Sequence, residues 1–303
     1  MTPDRQIISA AAHRIAGHVR ETPLLRLSPA LTLKLELLQA SGSFKPRGAF
    51  NRMLSAPIPP AGVVAASGGN HGAAVAHAAK CLGVPAAIFV PEITGAAKRR
   101  RIEAYGARLV VGGAAYDEAR LASEAFAAET GALLVHAYDQ AEVLAGQGTL
   151  ALELDRQAPE LTHVLVAVGG GGLLGGMAGW YAGSTTRLVA VEPEGCPTLH
   201  SALAAGRPVP APVGGVAADS LGARQVGALM FPLAQAAVAA SVLVTDEAIR
   251  AAQGWLWQEC RVVAEPGGAT ALAALLSGAW VPPEGAQVGV VVCGGNCEPG
   301  SVA

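Results

Sequence analysis

Short β-branched runs alternate with alanine-rich stretches of helical length along almost the whole chain. That alternation limits the fold more than any other feature. Val63–Ala66, Ala86–Val90, Arg108–Val111, Leu133–Val135, Val164–Val168, Leu188–Val191, Val242–Val244 and Val288–Val292 read as strands. Gly72–Leu82, Gly95–Tyr105, Tyr116–Thr130, Gln147–Asp155, Leu173–Ala182, Asp246–Glu259 and Ala269–Leu276 read as helices. Several strands are apolar without interruption, the mark of a parallel sheet covered by helices on both faces. The expected class is α/β with crossover helices. No repeat of solenoid length is present. Pro193–Phe231, broken by Pro197, Pro208, Pro210 and Pro212, reads as a long excursion on one lobe rather than a linker.

With 303 residues the chain is long enough for a large core and two lobes. Lys and Arg number 21 against 23 Asp and Glu, and no basic stripe or polybasic run stands out. Nucleic-acid and anionic-membrane partners are therefore not expected. Met1–Arg20 has no apolar core of signal-peptide type. Cys81, Cys196, Cys260, Cys293 and Cys297 form no even framework and no C-x-x-C pair, so free thiols in a reducing cytoplasm are expected. Val164–Gly183 lacks acidic and basic side chains and is long enough to span a bilayer, but it carries eight glycines. Four of them are consecutive and would break a helix, so a strand, a loop and a packed helix fit better.

In open parallel sheets, ligands sit beyond the carboxyl ends of strands. Three glycine-rich turns follow strands here: ASGGNHG (Ala66–Gly72), AVGGGGLLGG (Ala167–Gly176) and CGGNC (Cys293–Cys297). Together they point to one shared pocket. Gly169, Gly170, Gly171 and Gly172 bare their backbone N–H groups before a helix start, which makes a phosphate site. Tight strand-to-helix packing is the other reading. Gly170, Gly172 and Gly175 also match the dinucleotide fingerprint, with Glu192 placed as a ribose-binding acid. A dinucleotide-dependent oxidoreductase is therefore an alternative, although it leaves Lys45, Asn70 and the CGGN turn without a role. Asn70 either caps its helix or helps to hold a substrate carboxylate there. Lys45, in SGSFKPRGAF, is either a solvated surface charge or a desolvated, Schiff-base-forming amine. Neither a zinc-spaced cluster nor a G-x-S-x-G elbow occurs.

Taken in order, SGSFKPRGA, ASGGNHG, VGGGGL and CGGN resemble the serine/threonine dehydratases, fold-type II pyridoxal-phosphate enzymes related to serine racemase. The resemblance spans nearly the whole chain and includes KLELLQ (Lys34–Gln39), AYGARLV (Ala104–Val110), AGQGT (Ala145–Thr149), VEP (Val191–Pro193) and AEPGGA (Ala264–Ala269). It implies a two-lobed, tryptophan synthase β-like fold. The large cofactor-binding domain would comprise residues 1–42 and 140–303, and the small domain residues 43–139. It implies a Schiff base between Lys45 and pyridoxal 5'-phosphate, with Phe44 flanking the ring and Asn70 on its 3′-hydroxyl. Gly169, Gly170, Gly171, Gly172 and Leu173 would bind the phosphate. Cys293 would face the pyridine nitrogen, with Glu265 near that side. Ser67, Gly68, Asn70 and His71 would line the substrate carboxylate.

The implied chemistry is β-elimination of L-threonine or L-serine. Lys45 removes the α-proton, the β-hydroxyl leaves, and a 2-oxo acid and ammonia result. A lyase for another β-hydroxy amino acid such as 3-hydroxyaspartate, a serine racemase-like activity, a β-replacement enzyme and a catalytically silent cofactor-binding regulator are the alternatives. Racemase relatives carry a serine two residues before the Asn, where this chain has Gly68, so little racemisation is expected. Cys293 is a weak hydrogen-bond partner and not a carboxylate, which suits elimination better than transamination.

The resemblance also implies a cation held by Glu192, the Cys196 carbonyl and Thr198, with the Leu221 and Ala223 carbonyls as further ligands. One carboxylate among neutral oxygens suits a monovalent ion such as K+. The other reading of Glu192 is a solvated strand-end acid. A homodimer is expected from the family alone. LSPALTLKLELLQ is shorter than usual before the KLE strand, at the large-lobe edge or the dimer surface. The chain ends soon after CGGN, so feedback control by isoleucine is not expected.

Overall fold

The computed structural model describes residues 2–302. In chain order, α1 (Arg5–Ile15) precedes the hairpin of β1 (Leu24–Ser28) and β2 (Leu31–Lys34). Next come α2 (Lys45–Leu54), β3 (Val63–Ala66), α3 (Asn70–Leu82), β4 (Ala86–Val90), α4 (Ala96–Glu103), β5 (Arg108–Val111), α5 (Tyr116–Thr130) and β6 (Leu133–Leu134). Then follow α6 (Ala141–Gln157), β7 (His163–Ala167), α7 (Gly172–Tyr181), β8 (Arg187–Pro193), α8 (Thr198–Ala205), α9 (Ala218–Leu221) and α10 (Phe231–Ala237). The last elements are β9 (Val238–Val244), α11 (Asp246–Cys260), α12 (Pro266–Leu276) and β10 (Val288–Val291).

Two sheets result. One has the order β1-β2-β10-β7-β8-β9, the other β5-β4-β3-β6. Every strand pair is parallel except the β1–β2 hairpin. The continuous apolar runs sit where expected: Val164, Leu165 and Val166 of β7, Leu188–Val191 of β8 and Val290 and Val291 of β10 are fully buried. Each Val or Leu among them contributes about 1.5–3 kcal/mol by leaving water. No described helix is long and apolar enough to cross a membrane. The glycine-rich Val164–Gly183 run divides into β7, a loop and α7, as expected.

The differences from expectation have local causes. The β1–β2 hairpin was not anticipated, because its Leu, Thr, Arg and Lys residues carry no β-branched run. Its turn is only Pro29–Ala30, which accounts for the short LSPALTLKLELLQ segment. Pro46 and Gly48 disguise α2. Proline is tolerated in the first turn, where its missing N–H has no intrahelical partner anyway. Gly48 faces Gln147 and Val143 of α6 too closely for a side chain. Similarly, α6 begins six residues before the expected Gln147 and runs through Gly146. A Cβ on Gly146 would stand 2.4 Å from the Arg47 carbonyl, so α2 and α6 meet backbone to backbone. The Pro193–Phe231 excursion contains α8 and α9 rather than loop alone.

Candidate active site

The lysine segment is stitched to the turn after β10. Ser43 and Gly294 form an antiparallel bridge. The Phe44 amide donates to the Cys293 carbonyl at 3.1 Å and the Gly295 amide to the Gly42 carbonyl at 2.9 Å. Lys45 is therefore held at the first turn of α2, beside the end of the large sheet. It lines a cavity of about 690 Å3 that also takes in Ser67, Asn70, His71, Ala137 and Gly170. The expectation of one pocket shared by the glycine turns is met for the first two, and the third anchors its lysine.

Lys45 is half-buried rather than a solvated surface charge. Its Nζ donates to the Ala137 carbonyl at 2.8 Å and lies 5.1 Å from the Phe44 ring centroid. Loss of water lowers its pKa to about 8, against a smaller opposing pull from Cys293 and Glu265. An amine so placed loses its proton far more readily than a surface lysine.

The loop after β7 is the second half of the site. Gly171 takes a left-handed φ of +85° as the N-cap of α7. The N–H groups of Gly169, Gly170, Gly171, Gly172 and Leu173 have no acceptor within the described chain. Buried N–H groups without partners at a helix start are a receptor for an anion. A Cβ on Gly170 would meet the Tyr138 ring at 2.4 Å and one on Gly171 the Met230 methyl at 2.4 Å. Neighbouring side chains thus press on this loop where side chains of its own would go. The residues present fit a phosphorylated carbonyl cofactor: an amine to join the carbonyl and orphan N–H groups to take the phosphate.

Asn70 does not cap α3; Gly69 occupies the N-cap and no side chain caps there. The Asn70 amide donates to Glu265 Oε1 at 2.5 Å, and its oxygen accepts from Asn296 Nδ2 at 2.6 Å. Asn296 also donates to the Ser41 carbonyl. Glu265 is buried, and burial holds its carboxyl above the usual range. Cys293 is buried, donates to the Gly267 carbonyl at 3.4 Å, and has its thiol pushed up to about 12, chiefly by burial. His71 is buried with Nε2 donating to the Val135 carbonyl at 2.9 Å. Burial, then Lys45, bring its pKa down to about 3, so it is a neutral imidazole. Ser67 lines the cavity with Asn70 and His71, and its hydroxyl accepts from the Gly69 amide. Gly68 faces a second cavity of about 220 Å3, bounded also by Lys98, Ser220 and Glu265.

Glu192 is fully buried, not a solvated strand-end acid. It accepts from Thr198 Oγ1 and from the Leu199 and His200 amides, capping α8, and burial pushes it up to about 7. Thr198 Oγ1 also lies 2.7 Å from the Gly169 carbonyl, its single proton serving either that carbonyl or Glu192, and Leu221 packs on Gly169, so these members of the expected cation set do gather behind the glycine loop. The Cys196 carbonyl accepts from the Thr198 amide, and the Leu221 carbonyl from the Ala223 amide. The described residues hold no group of three or more His, Cys, Asp or Glu arranged for a metal ion. Glu192 is fully buried and turned to the start of α8, so it does not present an oxygen to a ribose in the cavity, which counts against the dinucleotide reading.

Beneath Lys45 lies a buried ionic cluster that sequence reading missed. Arg47 pairs with Glu36 at 2.5 Å and Glu153 at 2.8 Å, and Lys34 pairs with Glu153 at 2.5 Å. Thr22 donates to Glu36. Burial works to raise Glu153, but Arg47 and Lys34 outweigh it and hold the carboxyl below its usual range. The cluster ties β2, α2 and α6 together under the lysine. Asn296 was visible in CGGN but carried no role; Ala137 and Tyr138 left no signal in the sequence.

A family profile described as "Pyridoxal-phosphate dependent enzyme" matches residues 15–294. The chain belongs to that family. Three proteins illustrate where this pyridoxal-phosphate dependent enzyme stands within it. An L-threonine ammonia-lyase of Geobacter sulfurreducens is 37% identical, over 96% of this chain and 75% of that protein. The structure of maize serine racemase superposes with a TM-score of 0.94 at 34% identity, covering 100% of this chain and 96% of that one. A threonine deaminase of T.th. gives 0.90 at 39% identity, covering 98% of this chain and 99% of that one.

Proposed function

We propose that this enzyme dehydrates and deaminates L-threonine, L-serine or both, giving a 2-oxo acid and ammonia. The observation that carries the reading is the pairing of Lys45, desolvated to a pKa of about 8, with the orphan N–H groups of a glycine loop whose Gly170 lines the same cavity. When bound, pyridoxal phosphate supplies the electron sink that makes the substrate α-proton acidic. Lys45 is the group to take that proton, since its amine reaches the neutral form near working pH. Ser67, Asn70 and His71, which border the Lys45 cavity, would hold the substrate carboxylate at the start of α3. Gly169, Gly170, Gly171, Gly172 and Leu173 would hold the phosphate. Phe44, Asn70 and Cys293 would hold the ring, with Glu265 steadying Asn70 through their hydrogen bond. Cys293, a buried neutral thiol, would offer the cofactor no charged partner.

Relatives named threonine ammonia-lyase and threonine deaminase support elimination. The structural relative named serine racemase makes racemisation the competing outcome. We further propose residues 43–139 as the small lobe, a monovalent cation behind the glycine loop, a homodimer and a cytoplasmic site of action. The test is 2-oxo acid release from L-threonine and L-serine by protein loaded with the cofactor, against Lys45→Ala. A loss of at least about 10²–10⁴-fold is expected on removing the base. Equal turnover by the variant would overturn the assignment.

A further inference from the structure

The turn after β6 touches three parts of the site at once. The Ala137 carbonyl accepts from Lys45 Nζ at 2.8 Å. Tyr138 fills the space where side chains at Gly170 and Gly172 would go, its ring against the first and its Cβ against the second. Asp139 accepts from the Ala228 and Leu229 amides, both at 3.0 Å, and Gly227 of that segment donates to the Gly170 carbonyl at 3.0 Å. Three consecutive residues thus orient the reacting amine, back the glycine loop and fasten the segment bonded to it.

One side chain shapes that turn. His136 Nδ1 accepts from the Tyr138 amide at 3.3 Å and from the Asp139 amide at 3.0 Å. A ring nitrogen that accepts carries no proton, so the proton of the neutral imidazole sits on Nε2. Gln140 closes the turn from its other end. Its Oε1 accepts from the His136 amide at 2.9 Å, and its Nε2 donates to the Leu134 carbonyl at 3.3 Å. The imidazole meets the Tyr138 ring edge-on, with centroids 5.0 Å apart, and lines the same cavity as Lys45. Burial lowers the His136 pKa from its ordinary 6.5, and Lys45 and Arg120 act in the same direction against Asp139 and Glu124. An imidazolium would aim a proton at the two amides that now donate to it. His71, which lines the same cavity, shapes no turn in this way: its ring donates to the Val135 carbonyl.

We propose that His136 is a positioning residue: its unprotonated Nδ1 holds the turn Ala137–Asp139 in the shape that orients the Lys45 amine and backs the glycine loop. It acts through Ala137 and Tyr138 rather than by touching substrate. The consequence for Lys45 rests on the dehydratase reading above. A lysine that serves as base has to present its lone pair to substrate, and an N–H donated to Ala137 fixes where that lone pair points.

The experiment compares wild type, His136→Asn and His136→Leu. The asparagine oxygen takes the place of Nδ1 and can accept from the amide two residues on, whereas leucine fills space and accepts nothing. Tm without cofactor, pyridoxal phosphate affinity by absorbance titration, and 2-oxo acid release from L-serine and L-threonine are measured for each. His136→Leu should lose roughly 10- to 100-fold in kcat with little change in KM, the scale of a misplaced reacting group. Its cofactor affinity should fall about tenfold, as one or two lost hydrogen bonds would cause. His136→Asn should recover most of both losses. The imidazole nitrogen-15 resonances of wild type, assigned by their absence from His136→Asn, should show Nδ1 unprotonated and Nε2 protonated at neutral pH.

An asparagine variant as impaired as the leucine variant would overturn the proposal, because an acceptor at that place would then be without effect. So would His136→Leu with wild-type kcat and cofactor affinity, or a His136 ring protonated at Nδ1. If His136→Leu does not fold, His136→Asn and the nitrogen-15 spectrum still decide. Absence of 2-oxo acid from wild type would instead defeat the dehydratase reading, and cofactor affinity with the nitrogen-15 spectrum would still judge the turn.

Discussion

The amide of Asn70 and the carboxyl of Glu265 meet at 2.5 Å although 195 residues separate them. The contact joins the start of α3 to the N-cap of α12, so the turn after β3 is aligned by a residue of the other sheet's helix layer. Glu265→Ala removes the acceptor of the Asn70 amide and leaves its side chain held by Asn296 alone. A hydrogen bond to a charged group is worth about 1.5–3 kcal/mol, so a roughly 10- to 100-fold loss in kcat/KM is expected. Asn70→Ala should lose a similar amount, and the double variant little more than either. Steady-state kinetics on the four proteins checks this; additive losses would separate the two residues.

Lys45 imposes a pH dependence on the cofactor-free protein. Unfolded, its amine holds a proton to about 10.5; folded, it releases it near 8. Between those values the unfolded chain binds more protons, so stability rises with pH across that window. Below it both states are protonated and Lys45 contributes no slope. Urea midpoints at pH 7.5 and 10 should therefore differ more in wild type than in Lys45→Met. Equal differences would show that the amine titrates alike in both states.

Gly170→Ala should weaken cofactor binding and stability together. The added methyl meets the Tyr138 ring at 2.4 Å, and overpacking of this kind costs about 1–3 kcal/mol. Gly254→Ala, where no atom lies within 4 Å, is the control and should gain about 0.5–1 kcal/mol from helix propensity. Absorbance titration with the cofactor and thermal melts read both effects.

Arg47→Met should be among the most destabilising single changes. It leaves Glu36 buried with no cationic partner and Glu153 with Lys34 alone. Breaking a buried pair from one side costs about 3–5 kcal/mol. Urea unfolding of the cofactor-free variant measures this directly, and a change under about 1 kcal/mol would mean that water or Lys34 takes over the role.

How legible this was depended on whether a residue's role was local. β3, β4, β5 and α5 match the sequence reading to the residue, because apolar runs and helix periodicity are local signals. The β1–β2 hairpin, α2 and the early part of α6 were hidden because their residues answer to packing partners far along the chain. Gly146 looks like a helix breaker until Arg47 is seen against it. Lys45 and the glycine turns were legible as a set only through their order and spacing. Asn296 and the Arg47 cluster act through contacts that no short window contains.

The bridge between Ser43 and Gly294 also sets when the site comes into being. As the chain emerges from synthesis, Lys45 is made early, but the turn that anchors it is made about 250 residues later. Until that turn folds back, neither α2's first turn nor β2 has its neighbour β10. Capture of the cofactor by a correctly aimed lysine is thus a closing event of folding, dependent on contacts of long sequence separation and slow for that reason.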